Sequence, residues 1–505
     1  MLWKTCQENG ILGTCLLITK GIAVYFAISS QKGAKLFCPA LFFKAEKCMR
    51  RSFVLNQRQV IKMVFEIPQK VEIIINILEK AGYEAYAVGG CVRDALLGRT
   101  PNDWDITTSA KPEQVKALFH RTVDTGIAHG TVTVLLEKEG FEVTTYRVDG
   151  EYEDGRHPKE VTFTACLEED LKRRDFTINA MAMEKDGRIL DLYGGISDLK
   201  GETVRCVGNA RIRFEEDALR ILRALRFAAT LGFAIEPSTA EAIHREARLL
   251  ERVAAERILI EMNKLLCGKG CREILLAYPD VLGVFLPELL PCVGFDQRNI
   301  HHCYDLYTHI VLSVDGVATE PVLRWTMLLH DIGKVNTFTE DERGQMHFYG
   351  HPKVSAAMAE DICTRLRMRK KDREDIVTLI AWHDRDIPVT EKGIGSAVRA
   401  LGEENFRRLL AVKRADNRAQ APEYRWVCQK IDRAEEILEE LLRKKQCLCL
   451  KDLAVNGNDL LALGYEGREI GAALEWLLEG VIAGEIDNKR DALLAALTKK
   501  NLLLP

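Results

Sequence analysis

Tyr86-Ala87-Val88-Gly89-Gly90-Cys91-Val92-Arg93-Asp94 runs from an apolar stretch through two glycines into a segment ending on a cation and an anion. That order predicts a strand, a tight turn and the start of a helix. Glycine lets the backbone pass closely, and a helix N-terminus presents unpaired N–H groups. With the positive end of the helix dipole, those groups favour an anion such as phosphate, and Arg93 adds a cation. Taken alone, the Gly89-Gly90 turn is equally well explained as a plain connection. Asn102-Asp103-Trp104-Asp105-Ile106 narrows the reading, because it sets two carboxylates two residues apart. On a strand that spacing puts both on one face. Neighbouring anions are costly unless they share a cation, and hard oxygen donors suit Mg²⁺. Two such ions ease attack of a hydroxyl on phosphorus, one at the nucleophile and one at the leaving oxygen. Glu142, in a later run with strand alternation, falls on the right face for a third carboxylate; a surface glutamate is the alternative.

Outward from this stretch, short apolar runs alternate with helical patterns over residues 83–191. Residues 132–136 and 142–146 read as hairpin strands separated by Lys138-Glu139-Gly140. Upstream, the apolar spacing over residues 71–80 predicts a helix. Beyond about residue 205 the strand signals fade, and long amphipathic stretches such as 213–231 and 237–250 take over. The fold class is therefore α+β: a small α/β head on a long all-α neck, body and tail.

With 505 residues the chain exceeds one compact core, since a domain holds roughly 100–200 residues. Its 47% hydrophobic and 29% charged content is that of an ordinary globular protein. A net charge of −3 does not announce a nucleic-acid partner, so any such contact must come from local basic patches. The 15 cysteines form no Cys-x-x-Cys pair, which argues for reduced thiols rather than a disulfide framework or zinc ribbon. Residues 11–30 are apolar, but Lys20 interrupts them and no cleavage pattern follows, so a membrane anchor is not expected. Residues 1–62 read as an extension without function.

Two further segments carry chemistry. Lys172-Arg173-Arg174-Asp175-Phe176-Thr177-Ile178-Asn179-Ala180 packs three cations after the acidic Glu168-Glu169-Asp170. One reading is a solvated charged face. The other has Arg174 holding phosphate while Asp175 and Asn179 read ribose hydroxyls. In Glu216-Asp217-Ala218-Leu219-Arg220-Ile221-Leu222-Arg223-Ala224-Leu225-Arg226-Phe227, arginines recur every third residue. On a helix Asp217 and Arg220 would be neighbours, either as an intrahelical ion pair or as a reader of bases. The aspartate would accept from the exocyclic amine of C or A, and the arginine would donate to an adjacent ring acceptor. U and G offer a carbonyl there and would be rejected. Arg223 and Arg226 would extend the ridge toward phosphates.

From Gly89 to about residue 266 the chain resembles the class II tRNA nucleotidyltransferase and poly(A) polymerase family. The matching motifs are the Gly-Gly-x-Val-Arg-Asp turn, the Asp103–Ile106 pair, the Arg173–Ala180 run, Asp191-Leu192-Tyr193-Gly194-Gly195, the arginine ridge, and Glu256-Arg257 with Glu261. The resemblance implies a polymerase-β-like nucleotidyltransferase head. It also implies that Asp103 and Asp105 bind the metals and that Gly90, Arg93 and Arg174 contact the nucleotide. Asp217 and Arg220 would select the base, with Arg223 and Arg226 nearby. Tyr152-Glu153-Asp154-Gly155-Arg156-His157-Pro158 resembles the loop with which full CCA-adding enzymes switch from C to A.

Further along, His309, His330-Asp331 and Asp416 resemble the HD phosphohydrolase pattern, with His351 and His383-Asp384 as possible added ligands. Imidazoles with carboxylates suit Mn²⁺, Ni²⁺, Fe²⁺ or Co²⁺. Arg365-Leu366-Arg367-Met368-Arg369-Lys370-Lys371 is the densest basic patch, either an RNA contact or a solvated face. Leu453-Ala454-Val455-Asn456-Gly457-Asn458-Asp459-Leu460 resembles the tail of bacterial CCA-adding enzymes, although the usual proline is absent. The expected division is an extension (1–62), a nucleotidyltransferase head (63–204), a helical neck (205–290), an HD-type metal domain (291–420) and a tRNA-binding tail (421–505). The expected activity is template-independent addition of C, C and A to a tRNA 3′ end from CTP and ATP, in the cytoplasm and without a membrane. Poly(A) addition and HD-domain phosphohydrolysis are the alternatives; a non-catalytic RNA binder would not need the paired carboxylates.

Overall fold

Val71, Ile74, Ile75 and Leu78 recur at helical spacing, and all four are buried on one side of the helix Gln69–Lys80. This face packs on the sheet of the head. The computed structural model describes residues 14–19, 22–27, 61–62, 67–149, 161–443, 450–482 and 484–501. The loop at residues 152–158 lies outside them, as does most of the 1–62 extension. The chain divides into two units, residues 1–59 and 60–505. In the first, β1 (Thr14–Thr19) and β2 (Ile22–Ala27) pair antiparallel, Thr14 opposite Ala27. The apolar stretch at residues 11–30 therefore holds two short strands. Among the described residues no helix is long and apolar enough to cross a membrane.

The second unit begins with β3 (Ile61–Lys62) and continues through β4 (Ala85–Val88), β5 (Asp105–Thr108), β6 (Thr122–Gly126), β7 (Thr131–Leu136) and β8 (Glu139–Thr145). A small pair, β9 (Arg147–Asp149) and β10 (Val161–Phe163), stands apart, and β11 (Met181–Met183) and β12 (Arg188–Asp191) complete the head. Eight strands form one sheet in the order β3-β12-β11-β4-β5-β8-β7-β6. Because β3 pairs with β12, residues 61–62 are an edge strand of the head rather than part of the extension.

The hairpin β7–β8 turns on Glu137 and Lys138 alone, with φ of 48° and 73°. Two residues in the left-handed region suit a two-residue hairpin, whose twist matches that of its strands. This puts Glu139 and Gly140 in β8 rather than in the turn.

Asp191 caps the turn that follows β12. Its two carboxylate oxygens accept from the N–H groups of Gly195 and Ile196, each at 2.9 Å. A Cβ at Gly195 would lie 2.3 Å from the Thr177 carbonyl oxygen and 2.9 Å from Met181 Cγ. Gly195→Ala must therefore push apart two backbone segments of the head. The expected cost is roughly 1–3 kcal/mol or more, read as a lower urea midpoint, whereas an unchanged midpoint would mean the segments part freely.

The amphipathic stretch at 213–231 is not one helix. It breaks at Asp217 into Ala210–Glu216 and Leu219–Leu231, and Asp217 itself is extended (φ −139°, ψ 103°). The cause is local: the Asp217 carboxylate accepts from the N–H of Leu219 at 3.1 Å, satisfying an amide the new helix leaves open. The stretch at 237–250 is a helix, Pro237–Glu246, followed by a 3₁₀ segment.

The body holds the helices Leu306–Asp315, Pro321–Leu329, His351–Arg365, Lys370–Trp382 and Glu403–Arg418. In the tail, Val455 and Leu460 join Leu477, Leu478, Leu493 and Leu497 in a separate apolar cluster. Asn456 caps the short helix Gly457–Leu461, with Asp459 reciprocating.

Candidate functional site

In the head, β4 meets the helix Gly90–Leu96 at Gly89, whose φ is 84°. A Cβ there would stand 3.2 Å from Arg174 Nη1 and 3.9 Å from Asp105 Oδ2. The glycine thus sits between a guanidinium and a carboxylate, which the sequence placed far apart. A Cβ on Gly90 would lie 3.5 Å from Arg93 Nη2, so this arginine covers the turn.

Asp105 opens β5, and β4 runs beside it with Val88 opposite. On its other side β8 runs parallel, Ile106 opposite Val143. One residue earlier in each strand, Asp105 and Glu142 are therefore neighbours on the exposed face, while Ile106 and Val143 are buried. Burial raises the Asp105 carboxyl, the Glu142 carboxylate raises it again, Arg174 lowers it and Asp103 raises it further. Carboxylates that raise one another in this way are the donor set a hard divalent cation relieves. Asp103 is not on the strand: it stands in the loop before β5. The same-face argument therefore holds for Asp105 and Glu142, while Asp103 approaches from the loop. Among the described residues, these carboxylates do not form a set with oxygens all within 4.8 Å.

Arg174 Nη2 donates to Asp170 Oδ2 at 3.3 Å, and Asp170 is fully buried and also takes Thr107 Oγ1 of β5. Arg173 donates to Asp170 as well. Asp170, the last residue of the acidic run, thus anchors two of the cations, while Glu168 and Glu169 stay exposed. The Nε of Arg174 is buried without an aligned hydrogen-bond partner, a donor left over for a ligand.

Asp175 and Asn179, read as ribose contacts, are engaged within the protein. Arg223 donates to Asp175 Oδ2 from Nε at 2.8 Å and Nη2 at 2.5 Å. Asn179 donates to Asp175 Oδ1 at 3.3 Å and accepts from Arg93 Nη1 at 2.7 Å. Burial works against the Asp175 carboxylate, but the Arg223 ion pair overrides it and holds the group at about 2. Together they form a hydrogen-bonded chain from the phosphate turn to the neck.

In the neck, Asp217 and Arg220 have separate partners. Arg257 donates to both Asp217 oxygens, at 3.4 and 3.0 Å. Arg220 donates to Glu216 at 2.7 Å and to the carbonyls of Arg213 and Arg173. The helix break at Asp217 is the reason, because an extended residue does not share a helix face with Arg220. Arg226 donates to Glu261 at 2.8 Å. Arg257 and Glu261 both lie on the helix Ala255–Leu266, so that helix orients the ridge. Sequence reading left Arg257 out of the site; its spacing of four from Glu261 was the available signal.

The HD residues converge closely. His309 Nε2 lies 3.3 Å from Asp331 Oδ2 and 3.0 Å from Asp416 Oδ1; His330 Nε2 lies 3.4 and 3.6 Å from the same atoms. On the other oxygen of Asp331, His351 Nε2 stands at 3.2 Å and His383 Nε2 at 3.5 Å. The donors fall into two sets, His309-His330-Asp331-Asp416 and Asp331-His351-His383, each within 4.8 Å, with Asp331 shared. Asp384, read beside His383, lines the adjoining cavity and belongs to neither set.

His309 Nε2, His330 Nε2 and both Asp331 oxygens are buried without an aligned hydrogen-bond partner. Unmet buried groups of this kind are costly, and metal ligation meets them. The ring orientation is fixed from behind: His330 Nδ1 faces the Met327 carbonyl at 2.8 Å and His383 Nδ1 faces Ile380 at 2.7 Å. Burial opposes protonation of His309, yet Asp331 and Asp416 raise it to about 9.

Sequence reading missed Lys334 and His302. Lys334 Nζ lies 2.7 Å from Asp331 Oδ2 and 3.3 Å from His302 Nε2. The three-residue spacing from Asp331 to Lys334 was visible; His302 gave no pattern. A cavity of about 640 Å³ opens on this site, with Tyr349, Arg385, Lys413, Tyr424, Trp426 and Lys430 among its walls.

The densest basic patch is matched by acids. Arg365 pairs with Glu288, Arg367 with Glu256, Arg369 with Asp372, Lys370 with Glu374 and Lys371 with Asp375. These pairs favour the solvated-face reading over RNA contact.

A mixed sheet with paired carboxylates beside a Gly-Gly turn, carried on a helical body with a histidine–aspartate cluster, defines a nucleotidyltransferase with an HD domain. Family models agree: the poly A polymerase head domain matches residues 85–205, the probable RNA and SrmB-binding site of polymerase A matches 232–292, and the HD domain matches 300–421. The CCA-adding enzyme of Levilactobacillus brevis is 37% identical over 439 residues, 86% of this chain and 98% of that protein. That of Geobacillus stearothermophilus is 37% identical over 443 residues, 85% of this chain and 96% of that protein. The crystal structure of the Bacillus stearothermophilus CCA-adding enzyme in complex with CTP superposes with a TM-score of 0.65 at 31% identity, covering 86% of this chain and 97% of that one. The chain belongs to the family of CCA-adding enzymes. Membership and the HD domain imply use of a divalent metal.

Proposed function

We propose that this chain adds C, C and A to the 3′ end of tRNA from CTP and ATP without a nucleic-acid template, releasing pyrophosphate, in the cytoplasm. The observation that carries the chemistry is Asp105 beside Glu142 at the mouth of the Gly89–Gly90 turn, with Arg174 across the glycine. Asp103, Asp105 and Glu142 would hold Mg²⁺, which when bound activates the 3′-hydroxyl and offsets charge on the leaving oxygen. A bond forms from the 3′-oxygen to the α-phosphorus, and the bond to the β-phosphate oxygen breaks. Gly89 and Gly90 bring backbone N–H groups to the triphosphate, and Arg93 and Arg174 supply its cations. Asp175 and Asn179 hold Arg223 and Arg93 in place around it. Residues 63–204 would form the catalytic head, 205–290 the base-reading neck, 291–420 the metal domain and 421–505 the tRNA-binding tail.

Base choice falls to Asp217 and Arg220, with Arg223 and Arg226 beside them. Arg257 fixes the Asp217 carboxylate in its acceptor role. Asp217→Ala should leave transfer measurable while letting UTP and GTP compete, lowering the preference for CTP over UTP by about ten- to a hundredfold, the worth of one good base contact. Retained preference in competition assays would remove Asp217 from base reading.

The family relationship favours CCA over poly(A) addition. The HD site supports a second activity, metal-dependent phosphoester hydrolysis with Mn²⁺, Ni²⁺, Fe²⁺ or Co²⁺ held by His309, His330, Asp331 and Asp416 and by His351 and His383. Its support is the pair of buried, unmet Asp331 oxygens, which line the 640 Å³ cavity together with His351, His383 and Asp416.

A further inference from the structure

Phe227 lies in the arginine ridge but has no role in the readings above. It is 4% exposed, and three guanidiniums surround its ring. Arg226 Cζ is 3.6 Å from the ring centroid, Arg93 Cζ is 5.1 Å and Arg223 Cζ is 5.4 Å. Phe176, from the run after Arg174, meets it edge-on at 5.6 Å and 76°. Phe227 belongs to the apolar core, and the guanidiniums reach its ring in addition to that packing. Here the cations come from two places in the chain: Arg93 from the helix after the Gly-Gly turn, Arg223 and Arg226 from the helix after Asp217.

Three like charges repel, and their carboxylate partners differ: Asp94 for Arg93, Asp175 for Arg223 and Glu261 for Arg226. The ring adds attraction that carboxylates cannot supply at the same point. Its negative face stabilises a guanidinium without neutralising it or occupying its N–H donors. The ring thus adds to the carboxylate pairs a further contact that uses up no N–H donor.

We propose that Phe227 is a positioning residue for nucleotidyl transfer: its π face gathers Arg93, Arg223 and Arg226 into one array that receives the triphosphate, locking the phosphate turn to the base-reading neck. This rests on the transfer reading above. The ring touches no reacting atom and acts through the arginines.

The test replaces Phe227 with phenylalanines of rising fluorine content up to pentafluorophenylalanine, which change shape little while emptying the π face. CTP affinity by calorimetry without tRNA, and KM and kcat for CMP addition, are the readouts. Affinity should fall and KM rise stepwise, by about tenfold at the end of the series, as for loss of one desolvated cation–π contact. The kcat should stay within about threefold on the same scale, with the melting temperature constant. A flat series with normal transfer overturns the role of Phe227 and leaves the transfer reading standing. A parent protein that neither binds CTP nor transfers CMP overturns both.

Discussion

Asp105→Ala is expected to lower CMP incorporation by roughly 10³-fold or more, equal to about 4 kcal/mol of barrier. Asp105 is the carboxylate held most tightly by structure: it opens β5, lies between β4 and β8, and stands by register next to Glu142. Burial and the Glu142 charge already raise its carboxyl, so the protein has placed an anion where another anion opposes it. An anion set against another anion in this way marks a candidate functional site. The side chain leaves the sheet on the face opposite the core that Ile106 enters, so the fold should survive the change. Glu142→Gln should cost less, about ten- to a hundredfold, since it keeps shape and one acceptor. Single-turnover transfer with labelled CTP measures both; an Asp105→Ala protein within tenfold of the parent would show that the metal is held elsewhere.

The second large effect concerns the HD cluster. Asp331 offers one oxygen to the His309 side and the other to the His351 and His383 side. Asp331→Ala should therefore empty both positions, weakening Mn²⁺ or Ni²⁺ retention by at least about a hundredfold. His309→Ala and His383→Ala should each lose one ion of two. Removing the carboxylate also leaves the buried Lys334 and His309 without that anion, so roughly 3–5 kcal/mol of stability should go with it. Metal content after dialysis, read by elemental analysis, decides the matter. Equal metal in the parent and Asp331→Ala would contradict the shared-ligand arrangement, and CMP transfer by the same variant separates this site from the head.

The contrast between what the sequence foretold and what it hid follows the range of the interactions. Gly89 and Gly90 declared the turn, and Val71, Ile74, Ile75 and Leu78 declared their helix, because both signals are local and periodic. The HD cluster was legible from its residue types on a chain with 11 histidines. Asp103 was misplaced because alternation fixes a face only once the strand has begun, and β5 begins at Asp105. Asp217 and Arg220 were read on one helix because the apolar period continues across a break that a single side-chain cap creates. Partners distant in the chain were hidden altogether. Glu288 and Glu256 neutralise Arg365 and Arg367 from about 80 and 110 residues away, which no local pattern reveals. The same holds for Arg93 and Arg223, joined through Asn179 and Asp175.

In the proposed function the protein itself, not a template, limits and orders the added sequence. Purified protein, Mg²⁺ and a tRNA lacking its 3′ terminus should be given CTP alone, ATP alone, and both, with the products sequenced. Two C residues are expected with CTP, a stop there, and a single A once ATP is supplied, with UTP and GTP left unused. A run of A residues from ATP alone, on this tRNA or on an unrelated RNA, would contradict it.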